Sequence, residues 1–96
     1  MALLQFIRVS GESLAPRYRD GDFVLISGLW LRRLRPGDVV VFEQPGYGLL
    51  IKQIRTIGSD GSLEVIGEGE GSVDSRIFGP VQRHTVLGRV ILHFQP

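Results

Sequence analysis

Ser13 and Lys52 are the two side chains of this sequence whose surroundings point to chemistry. Ser13 sits in Gly11-Glu12-Ser13-Leu14-Ala15-Pro16, just after a strand-like run, where a glycine and a proline predict a sharp bend. Such a bend can present a hydroxyl and a free backbone N–H side by side, and acyl transfer needs both. An ordinary turn serine fits the same residues. Lys52 lies inside the apolar run Leu49-Leu50-Ile51-Lys52-Gln53-Ile54-Arg55-Thr56-Ile57. With a period of two, Leu50, Lys52, Ile54 and Thr56 share one face, and Ile51, Gln53, Arg55 and Ile57 the other. Aliphatic neighbours on its own face would desolvate the ammonium and lower its pKa towards that of a working general base. A lysine on an edge strand, or one snorkelling to solvent, fits the same pattern.

A serine nucleophile with a lysine base is the one hydrolytic constellation this chain can assemble. It has no cysteine and only two histidines, His84 and His93, read as surface or strand residues because neither has a partner at a metal-ligand or triad spacing. A third stretch, Gly67 to Val81, is rich in Gly, Glu and Asp, but it lacks the alternating acidic order and terminal Glu of a calcium loop. Within it, Asp74 and Arg76 read as a charge-paired turn. No metal site is expected.

The elements that must position these residues are short. Residues 3–9, 23–26, 38–42, 49–57, 62–66 and 86–94 read as strands, separated by the turns Asp20-Gly21-Asp22, Pro36-Gly37-Asp38, Pro45-Gly46-Tyr47-Gly48 and Ser59-Asp60-Gly61. An acidic Gly-Asp turn feeding an apolar strand occurs twice, at Gly21-Asp22 and Gly37-Asp38. Only residues 28–35 have helical character, two turns at most. Within them Leu29-Trp30-Leu31-Arg32-Arg33-Leu34-Arg35 mixes apolar and basic residues that could meet a membrane surface or a partner, or pack Trp30 on the core. The expected class is mostly β, with compact antiparallel sheets or a partly open barrel and little helix.

Ninety-six residues fit a single domain spanning 1–96, and the average apolar and charged content excludes disorder and fibrous repeats. A formal net charge of +1 is too small for a general nucleic-acid-binding field. The apolar runs fall far short of the roughly 20 residues that span a bilayer. The first residues lack the basic and apolar regions of a secretory signal, so the expected location is cytoplasmic.

Taken in order, Gly11 to Pro16, Gly21-Asp22, Gly37-Asp38-Val39-Val40, Ile51-Lys52, and Ser72-Val73-Asp74-Ser75-Arg76-Ile77-Phe78-Gly79 resemble the type I signal peptidase family over nearly the whole chain. Phe78-Gly79-Pro80-Val81 and a C-terminal Gly-x-Val strand most resemble its nickel-type superoxide dismutase maturation proteases. The resemblance implies the signal peptidase catalytic core fold, with Ser13 as nucleophile, Lys52 as base, Ser72 as the hydroxyl orienting the lysine, and Asp74 and Arg76 as supports. Leu14 stands where the family has Met and would line the substrate pocket; Gln53 replaces an Arg. Gly11 stands where some members place a second oxyanion-hole serine. The implied activity is cofactor-free removal of a flexible N-terminal leader from a protein precursor. Three alternatives are a peptidase of exported preproteins, an inactive small β binding module, and a self-cleaving repressor domain. The last is disfavoured by the 12 residues before Ser13, too few for a DNA-binding module and its linker.

Overall fold

A computed structural model of the chain describes residues 3–9, 18–29, 31–67 and 73–95. Six strands form one antiparallel sheet: β1 (Leu4–Arg8), β2 (Phe23–Ser27), β3 (Val39–Gln44), β4 (Gly48–Ile57), β5 (Leu63–Ile66) and β6 (Val86–Phe94), in the order β1-β2-β6-β3-β4-β5. Each expected strand is present. The expected helical stretch contracts to a 3-10 turn over Leu31–Arg33, because Pro36 and Gly37 halt the chain before a second turn can form. One turn of α-helix, α1 (Ser75–Phe78), and a second 3-10 turn over Arg83–Thr85 complete the described elements.

Strand alternation builds a core on each face of the sheet. Val40, Phe42, Ile54, Leu63 and Val65 meet Leu34, Val81 and Val86 on one side. On the other, Val9, Val24, Ile26, Val39, Val41 and Ile51 pack together. At roughly 1.5–3 kcal/mol per buried aliphatic or aromatic side chain, these two clusters supply most of the drive to fold. The sheet curls over the second cluster. Ile7, Arg8 and Val9 thereby face Val41 and Leu49, Leu50 and Ile51 across a cleft of about 160 Å³, although three strands separate β1 from β4 in the sheet order.

The two Gly-Asp turns are structural twins. In each, a glycine at φ 92° or 97° takes the left-handed conformation that a side chain would oppose. The aspartate's backbone N–H bonds the carbonyl three residues earlier, at Arg19 or Arg35, and its carboxylate accepts that arginine's N–H in return. Each turn then grips one neighbouring residue with two backbone bonds. Gly21 and Asp22 hold Val9, whereas Gly37 and Asp38 hold Ile54, at 2.7–2.9 Å. The first turn fixes the end of the strand leading to Ser13. The second fixes β4 two residues beyond Lys52.

The face assignment within β4 needs one correction. A register shift between Ile54 and Thr56 places an extra residue in β4, so the alternation changes phase there. Ile57 consequently packs on the same core as Ile54, while Thr56 is exposed and its hydroxyl donates to Glu64 at 2.9 Å. Leu50, Lys52 and Ile54 lie before the shift and keep their common face.

Candidate active site

Lys52 occupies an interior strand. β4 is hydrogen-bonded to β3 on one side and β5 on the other, and Lys52 pairs with Val40 in register. Its relative exposure is 1%, which excludes both an edge-strand and a snorkelling lysine. Burial pushes the Lys52 ammonium below the usual lysine range; the Asp74 carboxylate opposes that shift and the Arg76 guanidinium adds to it. A lowered pKa brings the neutral amine, the form a general base needs, within easier reach.

Asp74 anchors the other side of this environment. It caps α1 by accepting the Arg76 backbone N–H at 3.0 Å, and it accepts the Gly67 N–H at 3.0 Å across the 67–74 segment. Arg76 closes a two-pronged pair on the same carboxylate, Nε to Oδ1 at 3.0 Å and Nη2 to Oδ2 at 2.7 Å. These bonds, the Arg76 side chain foremost, hold Asp74 far below the usual carboxylate range despite its complete burial. Next to it, Ser75 Oγ accepts the Val65 N–H at 2.9 Å and binds α1 to β5. The charge-paired turn expected from the sequence is therefore formed, and its charges lie close enough to Lys52 to bias its protonation.

Ser13, Leu14 and Ser72 lie outside the described residues, as do Gly11 and Trp30. The described residues flanking 10–17 are Val9 and Tyr18, and both connect to Asp22. Val9 is held by the Gly21-Asp22 turn, and the Tyr18 ring stacks on His93 with centroids 4.3 Å apart. His93 Nε2 lies 2.6 Å from Asp22 Oδ2. The Arg19 N–H first, and His93 second, hold the Asp22 carboxyl below its usual range.

This linkage corrects the reading of His93 as partnerless. It is a strand residue, as expected, but its partner lies 71 residues away, and only the pairing of β2 with β6 could have revealed it. Among the described residues, no group of three or more His, Asp or Glu side chains has a metal-binding arrangement, and no helix is long and apolar enough to cross a membrane.

No curated protein matches the chain. A match does exist at the level of a family, Peptidase S24-like, over residues 3–91, which takes in β1 to β5 and most of β6. It supports a serine-peptidase type of activity on an all-β frame, in line with the buried lysine of β4. With nearly the full length matched, the chain belongs to the Peptidase S24-like family.

Proposed function

We propose that this chain is a single-domain serine endopeptidase with a Ser13–Lys52 dyad that removes an N-terminal leader from a protein precursor. The observation that carries the reading is Lys52, completely buried in an interior strand of a peptidase-family fold, with its ammonium form disfavoured. In the mechanism, neutral Lys52 Nζ takes the proton of Ser13 Oγ, and Oγ attacks the scissile carbonyl to form an acyl-enzyme. The protonated lysine gives that proton to the leaving amine. Neutral again, it takes a proton from water as the water oxygen attacks the ester, and it returns that proton to Ser13 Oγ as the acyl group leaves. Ser72 is assigned to orient the lysine, and Asp74 and Arg76 to hold the segment that bears Ser72. Each step moves protons among Ser13, Lys52, the substrate amine and water, and needs no metal or organic cofactor.

The cleft beside β1 supports an extended peptide as substrate. Ile7, Val9, Val41, Leu49 and Ile51 give it apolar walls, and the sequence resemblance gives Leu14 a substrate-contacting role. A volume of about 160 Å³ suits small or medium apolar side chains. β1 stands at the edge of the sheet, with a backbone edge to which a leader can add as a strand. A disordered leader fits this mode because nothing folded must be opened to reach the bond.

The substrate assigned by the sequence resemblance is a nickel-type superoxide dismutase precursor. Purified protein is mixed with that precursor and, separately, with a secretory preprotein, and the new N-termini are sequenced. Cleavage of the dismutase precursor is expected; cleavage of the secretory preprotein alone would transfer the chain to the exporter branch.

A further inference from the structure

The two Gly-Asp turns share a backbone, yet the first carries an addition that the second lacks. At Gly37-Asp38 the carboxylate stays partly exposed; its Oδ2 accepts the Arg35 N–H at 2.9 Å and stands 4.0 Å from Arg89 Nη1. At Gly21-Asp22 the carboxylate is buried, and the oxygen that accepts the Arg19 N–H at 3.0 Å also lies 2.6 Å from His93 Nε2. The Arg19 N–H and then His93 hold this carboxyl below its usual range, so it is the acceptor and Nε2 carries the shared proton. Tyr18 completes the group: its ring stacks on His93 and packs on the second core.

What each turn holds accounts for the difference. Gly37 and Asp38 grip Ile54 in β4, a strand with a neighbour on both sides. Gly21 and Asp22 grip Val9, just past the end of β1, an edge strand paired to β2 alone. Val9 is the last described residue before 10–17, and Tyr18 is the first after it. The turn therefore holds one end of that segment, the Tyr18–His93 stack holds the other, and the His93–Asp22 bond joins the two grips. The turn itself needs no such addition, because its twin forms without one. Nor does the pairing of β2 with β6, which already runs over five registered residue pairs. The added groups serve the segment between them, in which Ser13 is four residues from Val9 and five from Tyr18. They also lie on the working face of the sheet: Ile7, which lines the cleft, pairs with Val24, and Val24 pairs with His93.

We propose that Asp22, His93 and Tyr18 form a clamp that positions Ser13 for attack by fixing both ends of its segment. The inference rests on the peptidase reading for the role of Ser13. The three act through the segment rather than on the substrate, so they are positioning residues. A nucleophile displaced by about 1 Å loses on the order of a hundredfold in rate. The apolar cleft is built from β1, β3 and β4 and persists without the clamp, so the loss falls on kcat and leaves KM in place.

The test uses the full chain and two readouts, hydrogen–deuterium exchange of peptides covering residues 9–19 and the kinetics of precursor cleavage. His93→Leu removes both the bond and the stack, Tyr18→Leu removes the stack, and His93→Gln keeps an N–H able to reach Asp22. In His93→Leu, exchange over 9–19 is expected to be roughly tenfold faster while that of β3 and β4 is unchanged. Its kcat should fall roughly 10–100-fold with KM within about twofold of wild type. Tyr18→Leu should shift both readouts the same way by less, and His93→Gln should recover part of both. Circular dichroism checks each fold, and Tyr18→Leu carries the test if His93→Leu does not fold. Unchanged exchange over 9–19 in the folded variants, equal acceleration throughout the sheet, a raised KM with kcat intact, or no recovery in His93→Gln would each overturn the proposal. A wild type that cleaves no precursor would strike the peptidase reading, and exchange over 9–19 would still decide whether the clamp holds its segment.

Discussion

Replacing Lys52 with methionine should stabilise the protein, and by an amount that depends on pH. The side chain is completely buried beside Val40, with Leu50 and Ile54 on its own face, so methionine fills similar volume without an ammonium to desolvate. In the unfolded chain Lys52 titrates near the ordinary lysine value of about 10.4, whereas burial lowers its folded pKa. Below the folded value both states are charged, and the native state bears the whole desolvation cost. Between the folded and unfolded values the native lysine is neutral while the unfolded one still binds a proton, so wild-type stability rises with pH by up to about 1.4 kcal/mol per unit. Lys52→Met removes this dependence. Urea denaturation of both proteins at pH 7, 8, 9 and 10 measures it: the advantage of the methionine variant should be greatest at the low end and shrink as pH rises through the window. A stability difference that stays constant over the whole range would refute a lowered lysine pKa, and with it the basis for Lys52 as a base.

Asp74→Asn should cost about 1–3 kcal/mol at neutral pH, because the buried acceptor of the Gly67 and Arg76 N–H groups loses its charge. The folded pKa of Asp74 is strongly lowered, so its stabilisation is complete above the unfolded carboxylate value of about 3.9 and fades as pH falls below it. Urea melts at neutral pH and near pH 3 should therefore show the wild-type advantage shrinking in acid. Gly88→Ala should destabilise by about 1–3 kcal/mol, since a Cβ there would stand 2.8 Å from the Ser27 carbonyl oxygen and 3.1 Å from Ile26 Cβ, on the neighbouring strand β2. Thermal unfolding followed by circular dichroism would register it as a clear drop in Tm. The cleavage rate should rise with an apparent pKa well below that of a free amine; a profile flat up to about pH 10 would contradict a desolvated base.

The strands were legible because apolar runs bounded by glycine turns leave few other ways to bury their side chains. The twin Gly-Asp turns were visible as a sequence echo, but their grips on Val9 and Ile54 are long-range backbone bonds that no local pattern encodes. Periodicity placed Lys52 correctly with Leu50 and Ile54. It failed at Thr56 and Ile57, where a bulge changed the phase, since an extra residue in a strand carries no signature in side-chain type. The choice between an edge and an interior lysine was likewise open in the sequence, because strand order depends on how distant segments pair. The Asp74–Arg76 turn was readable from neighbouring charges, whereas the burial of Asp74 and its bond to Gly67 needed the fold. His93 shows the same limit: its acidic partner and its stacked ring come from the opposite end of the chain.

The most direct test of the dyad is the turnover of a leader-bearing dismutase precursor by wild type, Ser13→Ala, Lys52→Met and the double variant, each verified as folded. Two halves of one proton-transfer unit fail together, so each single variant should lose at least about a thousandfold in kcat/KM, and the double variant should be no worse than either. Full turnover by folded Lys52→Met at neutral pH would contradict the assignment of Lys52 as the base.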